Sequence, residues 1–122
     1  LRYRLTRTAE DQIDAILLDS ARKHGLEAAS RYNLLMLAAM EAVAEDPKRP
    51  GSRDIPKVSG VRVCTIAVGR FKIDRALRVQ TPRHLVVYRV ATDGVVEIVG
   101  LVHDRMLLPR AARRAIRDAD KA

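Results

Sequence analysis

HLVVYRVATDGVVEIVGLVH, residues 84–103, decides the fold. Two apolar, β-branched runs, 84–91 and 95–103, flank Asp93-Gly94. That dipeptide is a strong two-residue hairpin signal, and β-branched residues suit a pleated, half-buried surface. The stretch therefore reads as two antiparallel strands. Gly100 lies inside the return strand, where a glycine marks a bulge or a close backbone approach. In a regular strand Tyr88 and Arg89 point to opposite faces. Tyr88 and His103 lie in adjoining strands, and their side-chain directions depend on the register.

Upstream, VRVCTIAVG (61–69) alternates around Arg62, Cys64 and Thr65 and predicts another strand. The connection RFKIDRALRVQTPR (70–83) leaves three readings open: a hairpin extension, a short helix or a mobile basic loop. Pro82 argues against an uninterrupted central strand. DPKRPG (46–51) ends the preceding helix, because Pro47 and Pro50 supply no interior N–H bonds. The segment through Ser59-Gly60 reads as a loop.

Two helices precede it. The second runs from about Glu27 to Glu45, with Ala29, Tyr32, Met36, Met40 and Val43 as one stripe. Leu35 and Ala39 broaden that stripe. Leu34 and Leu37 lie away from its centre, either in a monomer core or on a face for a partner. The first helix carries Ile13, Ile16, Leu17 and Ala21 on one face. Thr6 or Thr8 caps its start, and Gly25 ends it after Arg22, Lys23 and His24. The short connection predicts an αα-hairpin. RYRLT (2–6) reads as a short strand at a sheet edge.

Downstream, residues 109–122 form a C-terminal helical arm, with Pro109 in its first turn. Its apolar stripe, Ala112, Ile116 and Ala119, is thin. Arg110, Arg113, Arg114 and Arg117 make the rest basic. The expectation is one α+β domain over residues 1–122. An N-terminal strand and helical hairpin pack on a small, mainly antiparallel sheet, followed by a C-terminal basic helix.

Composition narrows the functions. A chain of 122 residues suits one core. Its 48% hydrophobic content is not that of a disordered chain. The net charge of +8 favours nucleic-acid or acidic-protein partners without choosing between them. Tyr3, Tyr32, Phe71 and Tyr88 are the only aromatics, too few for a base-stacking platform. Cys64 is the only cysteine, which excludes an internal disulfide and favours the cytoplasm. No apolar run approaches the roughly 20 residues that span a bilayer, and the first residues lack a signal-peptide pattern, so no membrane partner is expected. His24, His84 and His103 show no metal-ligand spacing, and no glycine pattern cradles phosphates. Neither metal nor cofactor is expected.

Taken in order, the pieces resemble the ParE branch of the RelE/ParE toxin superfamily. The resemblance rests on Tyr3-Arg4-Leu5-Thr6, Ala9-Glu10-x-x-Ile13-x-x-Ile16, Tyr32, Glu45-Asp46-Pro47, Gly60-Val61-Arg62, Tyr88-Arg89-Val90 and Val102-His103-Asp104-Arg105-Met106. It covers almost the whole chain, and the long 70–83 connection departs from the shortest family pattern. It implies a toxin of a bacterial toxin–antitoxin pair that inhibits DNA gyrase. RelE-like relatives instead cut messenger RNA on the ribosome. It further implies a cognate antitoxin whose C-terminal segment wraps the toxin, in a heterotetramer or larger complex.

Two mechanisms follow. RNA cleavage needs proton transfer, for which histidine or tyrosine serves, and charge stabilisation at the phosphate, for which arginine serves. Tyr88, His103 and Arg105 are the candidates for that nuclease alternative. Inhibitory binding needs only a surface. Arg105, Arg110, Arg113 and Arg114 would engage gyrase or a gyrase–DNA complex, since their forked donors match carboxylates and phosphates. Leu34 and Leu37 would be covered by antitoxin. Inhibitory binding is the expected mode.

Overall fold

The computed structural model describes residues 3–121. Arg2 of the expected first strand and Ala122 of the expected arm lie outside the described residues. The elements are β1 (Tyr3–Leu5), α1 (Arg7–His24), α2 (Leu26–Glu45), β2 (Ser52–Ile55), β3 (Val58–Thr65), β4 (His84–Val90), β5 (Val96–His103) and α3 (Leu108–Lys121). Two 3-10 turns, Ile66–Lys72 and Arg75–Leu77, lie between β3 and β4. The sheet order is β1-β5-β4-β3-β2. β1 runs parallel to β5, and every other pair is antiparallel. The fold is the expected α+β arrangement, with β1 at an edge.

Local chemistry sets the helix ends. Thr6 is extended, and its Oγ1 accepts the Ala9 N–H at 3.1 Å, so it is the cap of the two threonines considered. Gly25 ends α1 at φ 92°, a backbone that side-chain-bearing residues adopt only under strain, and it opens α2 without a break. The expected stripe of α2 is buried: Leu35, Met36, Ala39, Met40 and Val43 are fully shielded. Each larger side chain of this set contributes roughly 1.5–3 kcal/mol by leaving water.

The sheet has a core on each face. Toward the αα-hairpin, Val86, Tyr88, Val96, Ile98 and Leu101 meet Leu35, Met36 and Met40. Toward α3, Val63, Val87, Val99 and Val102 meet Ala112 and Ala115. The small alanines on α3 bring that short helix close to the strands.

Three expectations need correction. Residues 52–60 are not simply loop. Ser52–Ile55 pairs with β3 in a register that sets Ser52 opposite Cys64 and Asp54 opposite Arg62, despite the flanking prolines. Pro50 and Pro56 lie just outside the strand, where they remove no ladder bond. The strand expected at 61–69 runs instead from Val58 to Thr65. Thr65 Oγ1 then accepts the Ala67 N–H at 3.3 Å and starts a 3-10 turn. That turn lies against α2 through Gly69, where an added Cβ would sit 2.5 Å from the Ala39 nitrogen.

The third correction is the β4–β5 turn. The loop holds three residues, Thr92 to Gly94, because the Ala91 N–H bonds to Val95 O at 2.9 Å. Gly94 takes φ 85°, the left-handed residue that such loops require. The extra residue displaces the register by one, and a second irregularity restores it. Tyr88 faces Ile98 whereas Val87 faces Gly100, so Val99 is the bulged residue. Gly100 also provides the close approach, since an added Cβ there would sit 3.2 Å from Gln12 Oε1. Gln12 Oε1 accepts the Leu101 N–H at 2.9 Å, which ties α1 to the bulge.

Of the three readings of the 70–83 connection, the short helix comes nearest: a 3-10 helix ends at Lys72 and another spans Arg75–Leu77, with no strand pairing between them. Its own arginines hold it: the Arg70 guanidinium donates to Val79 O and Gln80 O, and Arg78 Nε donates to Ile73 O. Part of the basic charge is therefore structural and binds carbonyls that no strand partner serves.

Candidate functional site

The bulge decides what faces the αα-hairpin at the end of β5. Strict alternation from Ile98 would turn His103 toward α3. The extra residue reverses that parity, and His103 lies opposite His84 of β4 on the hairpin side. The two imidazoles meet edge to face with centroids 5.2 Å apart. Tyr32, from α2, meets His84 at 5.5 Å in the same manner. Its hydroxyl lies 2.6 Å from His84 Nδ1 and accepts the Arg83 backbone N–H at 3.1 Å.

Because the Tyr32 oxygen already accepts from Arg83, its proton is free to bond His84 Nδ1. Burial, reinforced by His103, holds the His84 pKa below the ordinary histidine value. Burial raises that of Tyr32. Both groups are thus uncharged at neutral pH, joined by one hydrogen bond. His103 Nδ1 accepts the Arg105 backbone N–H at 3.1 Å. It also lies 3.1 Å from Asp104 Oδ1. A neutral Nδ1 lone pair suits the first contact and a protonated Nδ1 the second. Asp104 meanwhile pairs with Arg83 at 2.8 Å, which holds its carboxyl below the usual range.

Tyr32, His84 and His103 line a cleft of about 950 Å³ between the αα-hairpin and residues 78–84. Its mouth carries Lys23, Arg31, Arg78 and Arg83. Lys23 pairs with Asp19 at 3.2 Å and Arg31 with Glu27 at 2.6 Å. The cleft is mixed in character and mildly cationic. Among the described residues no group of three or more histidine, cysteine or carboxylate side chains is placed to hold a metal ion. Cys64 is buried in the hairpin-side core, which raises its thiol pKa and keeps it a packing residue.

The expected nuclease set is split, with Tyr88 apart from His103 and Arg105. Tyr88 is fully buried, and its hydroxyl donates to Pro47 O at 2.5 Å. Arg62, opposite Tyr88 across β3 and β4, donates to the same carbonyl at 3.0 Å and pairs with Asp54 at 2.9 Å. Together they anchor the loop after α2. Tyr88 and His103 share a sheet face, but Tyr88 lies four positions along β4 from His84, the partner of His103, roughly 13 Å along the strand. Arg89 points to the α3 side and bonds Glu97 and Asp120. Arg105 follows His103 at the exposed end of β5.

The expected partner-facing residues lie on separate surfaces. Leu34 and Leu37 are 43% and 41% exposed on the outer side of α2. Arg110, Arg113 and Arg114 lie exposed on α3, across the sheet from the hairpin. No one flat surface carries both sets. Tyr32 and His84 were not among the expected site residues: Tyr32 reads as one rung of an apolar stripe and a landmark of the resemblance, and His84 as an isolated histidine. The available signal was the hairpin itself. Counting outward symmetrically from between Asp93 and Gly94 sets His84 opposite His103. Loop and bulge each add one residue, so their offsets cancel and that pairing is the one observed.

No helix among the described residues is long and apolar enough to cross a membrane. A family model described as "ParE toxin of type II toxin-antitoxin system, parDE" matches residues 3–108. No curated protein matches the chain.

Proposed function

The chain belongs to the ParE toxin family of type II toxin–antitoxin systems, and from that membership we propose that it inhibits DNA gyrase by binding and is neutralised by a cognate antitoxin. The observation that carries inhibition over turnover is the separation of Tyr88 from His103 and Arg105. Tyr88 is enclosed in the core with its hydroxyl bonded to Pro47 O, far along β4 from His103. A proton-transfer pair must reach one substrate in one pose. Binding inhibition has no such requirement and can draw on Arg105, Arg110, Arg113 and Arg114, at the exposed end of β5 and along α3, to engage gyrase or its bound DNA.

On this reading the antitoxin covers Leu34 and Leu37 on α2. Their exposure leaves apolar area that burial would stabilise. Toxin and antitoxin assemble as a heterotetramer or a larger complex.

The test is a supercoiling assay with the cognate gyrase and antitoxin-free protein. Inhibition that antitoxin reverses is the expected result. Full gyrase activity at a large excess of folded protein sinks the proposal. A parallel ribosome assay supplies the contrast: site-specific messenger RNA cleavage would favour the nuclease alternative, with the Tyr32–His84–His103 cleft as its centre.

A further inference from the structure

The family match ends at Leu108, the residue at which α3 begins. One face of α3 packs Ala112 and Ala115 into the sheet. The other carries Arg110, Arg114, Arg117 and Lys121, at intervals of four, three and four residues, so they form one row. With a rise of about 1.5 Å per residue, the row is about 16 Å long. None of the four forms an ion pair among the described residues. The carboxylate that could have neutralised the row is engaged elsewhere: Asp120 pairs with Arg89 at 2.9 Å, beside Glu97. Asp118 is the one acid of α3 left beside it.

A second element extends the charge. Arg113 Nη2 donates to the Lys57 carbonyl at 3.3 Å, which sets the β2–β3 turn against the middle of α3. Lys57 is exposed there. Arg53 stands opposite Val63, a member of the α3-side core, so its side chain shares that side of the sheet.

We propose that α3 and the β2–β3 turn form a binding surface for the phosphate backbone of duplex DNA. The choice of DNA over other polyanions rests on the gyrase reading above; the charge argument does not. Duplex DNA carries a negative charge about every 1.7 Å of axis with both strands counted, so a stretch of this length holds about five phosphates on each strand. Guanidinium forks match phosphate oxygens in pairs. A protein partner would need an apolar centre to its contact. The row has none: Ala111 is its only apolar neighbour between the cations, and Met106 and Leu107 are exposed beyond one end. A lipid surface would need an apolar helix face, and that face of α3 is already covered by the sheet.

The experiment is fluorescence anisotropy of antitoxin-free protein with a labelled 20-base-pair duplex of arbitrary sequence, without gyrase, at roughly 50–200 mM salt. Binding should weaken with a log–log salt slope of about −4, as expected for about five phosphate contacts. Arg110→Gln/Arg114→Gln/Arg117→Gln should lower affinity at 0.1 M salt on the order of a hundredfold and make the slope shallower by about 3. Arg22→Gln/Lys48→Gln/Arg75→Gln, which removes equal charge elsewhere, should leave both nearly unchanged. Circular dichroism confirms that each variant is folded. Equal affinity and slope for the α3 variant and the parent overturn the proposal. So does binding to a glutamate-rich peptide but not to DNA, or a clear preference for duplex RNA. DNA binding without gyrase inhibition removes the gyrase reading and leaves the α3 surface standing. Inhibition without DNA binding does the reverse.

Discussion

His84 carries the most environment-dependent chemistry in the molecule. It sits among Tyr32, Arg83, His103 and Asp104, with Asp19 nearby, and burial keeps it neutral. Its folded pKa is below the unfolded value of about 6.5. The unfolded chain therefore binds the proton more readily. The resulting stability is complete above about pH 6.5 and is lost as pH falls through the folded value. Thermal unfolding at pH 7.5 and 5.5 should show a drop in Tm for the parent chain. His84→Gln cannot charge, so it should show a smaller drop, even if its Tm at pH 7.5 is lower. Equal drops in the two proteins would mean that His84 is not the group that senses this range. None of this was legible from His84 alone. A histidine among β-branched residues gives no sign of whether it meets a tyrosine or water. Its partner came from α2, fifty-two residues away, and only packing brings them together.

Elements with a strong periodic signal were readable to within a few residues. The two helices, the β4–β5 pair and the basic terminal helix all carry repeated, concordant positions. Ser52–Ile55 was not readable, because SRDI has no alternating apolar pattern and prolines flank it. It is a strand by virtue of its neighbour: β3 offers a free edge, and Arg62 reaches across to Asp54 and Ser52. The end of β3 was hidden for a different reason. VCTIAVG is as apolar as a strand, yet Gly69 allows the chain to turn and lie on α2. An alanine there would place its Cβ 2.5 Å from the Ala39 nitrogen and 2.8 Å from the Ala38 carbonyl carbon. Both obstacles are backbone and cannot rotate away. Gly69→Ala should cost about 3 kcal/mol, as overpacking does, or roughly 10 °C in Tm. Calorimetry of this variant beside Gly60→Ala gives the comparison. Gly60 has open space but φ 77°, so its loss should be smaller and conformational. A harmless Gly69→Ala would mean that the 3-10 turn stands away from α2.

The whole molecule has two sides with different characters. One presents the αα-hairpin, with Leu34 and Leu37 exposed on α2. The other presents α3 and its unneutralised arginines. Overall charge was visible in the sequence, but its division was not, because that depends on which acids the fold has already used. Arg70, Arg78 and Arg89 bind groups within the chain, whereas Arg110, Arg114 and Arg117 do not. The proposed antitoxin contact belongs to this scale. Leu34→Asp/Leu37→Asp should weaken toxin–antitoxin binding at least tenfold by titration calorimetry. The free toxin's Tm should move only a few degrees, since neither leucine is enclosed. An unaltered affinity would exclude the outer side of α2 from the contact.

The sheet order has a consequence for how the protein is made. β5 lies between β1 and β4, so it is bonded on both edges, yet of the five described strands it is the last to leave the ribosome. Until it emerges, β1 has no partner, the two cores lack their shared wall, and α1 lacks the backbone that Gln12 holds. The nascent chain can form its αα-hairpin early, but the sheet must wait for residues 96–103. Folding then closes contacts across nearly the full sequence, a topology that slows the step. Translation that stops short of β5 should therefore release fragments without the finished surface, leaving the complete chain as the form able to act.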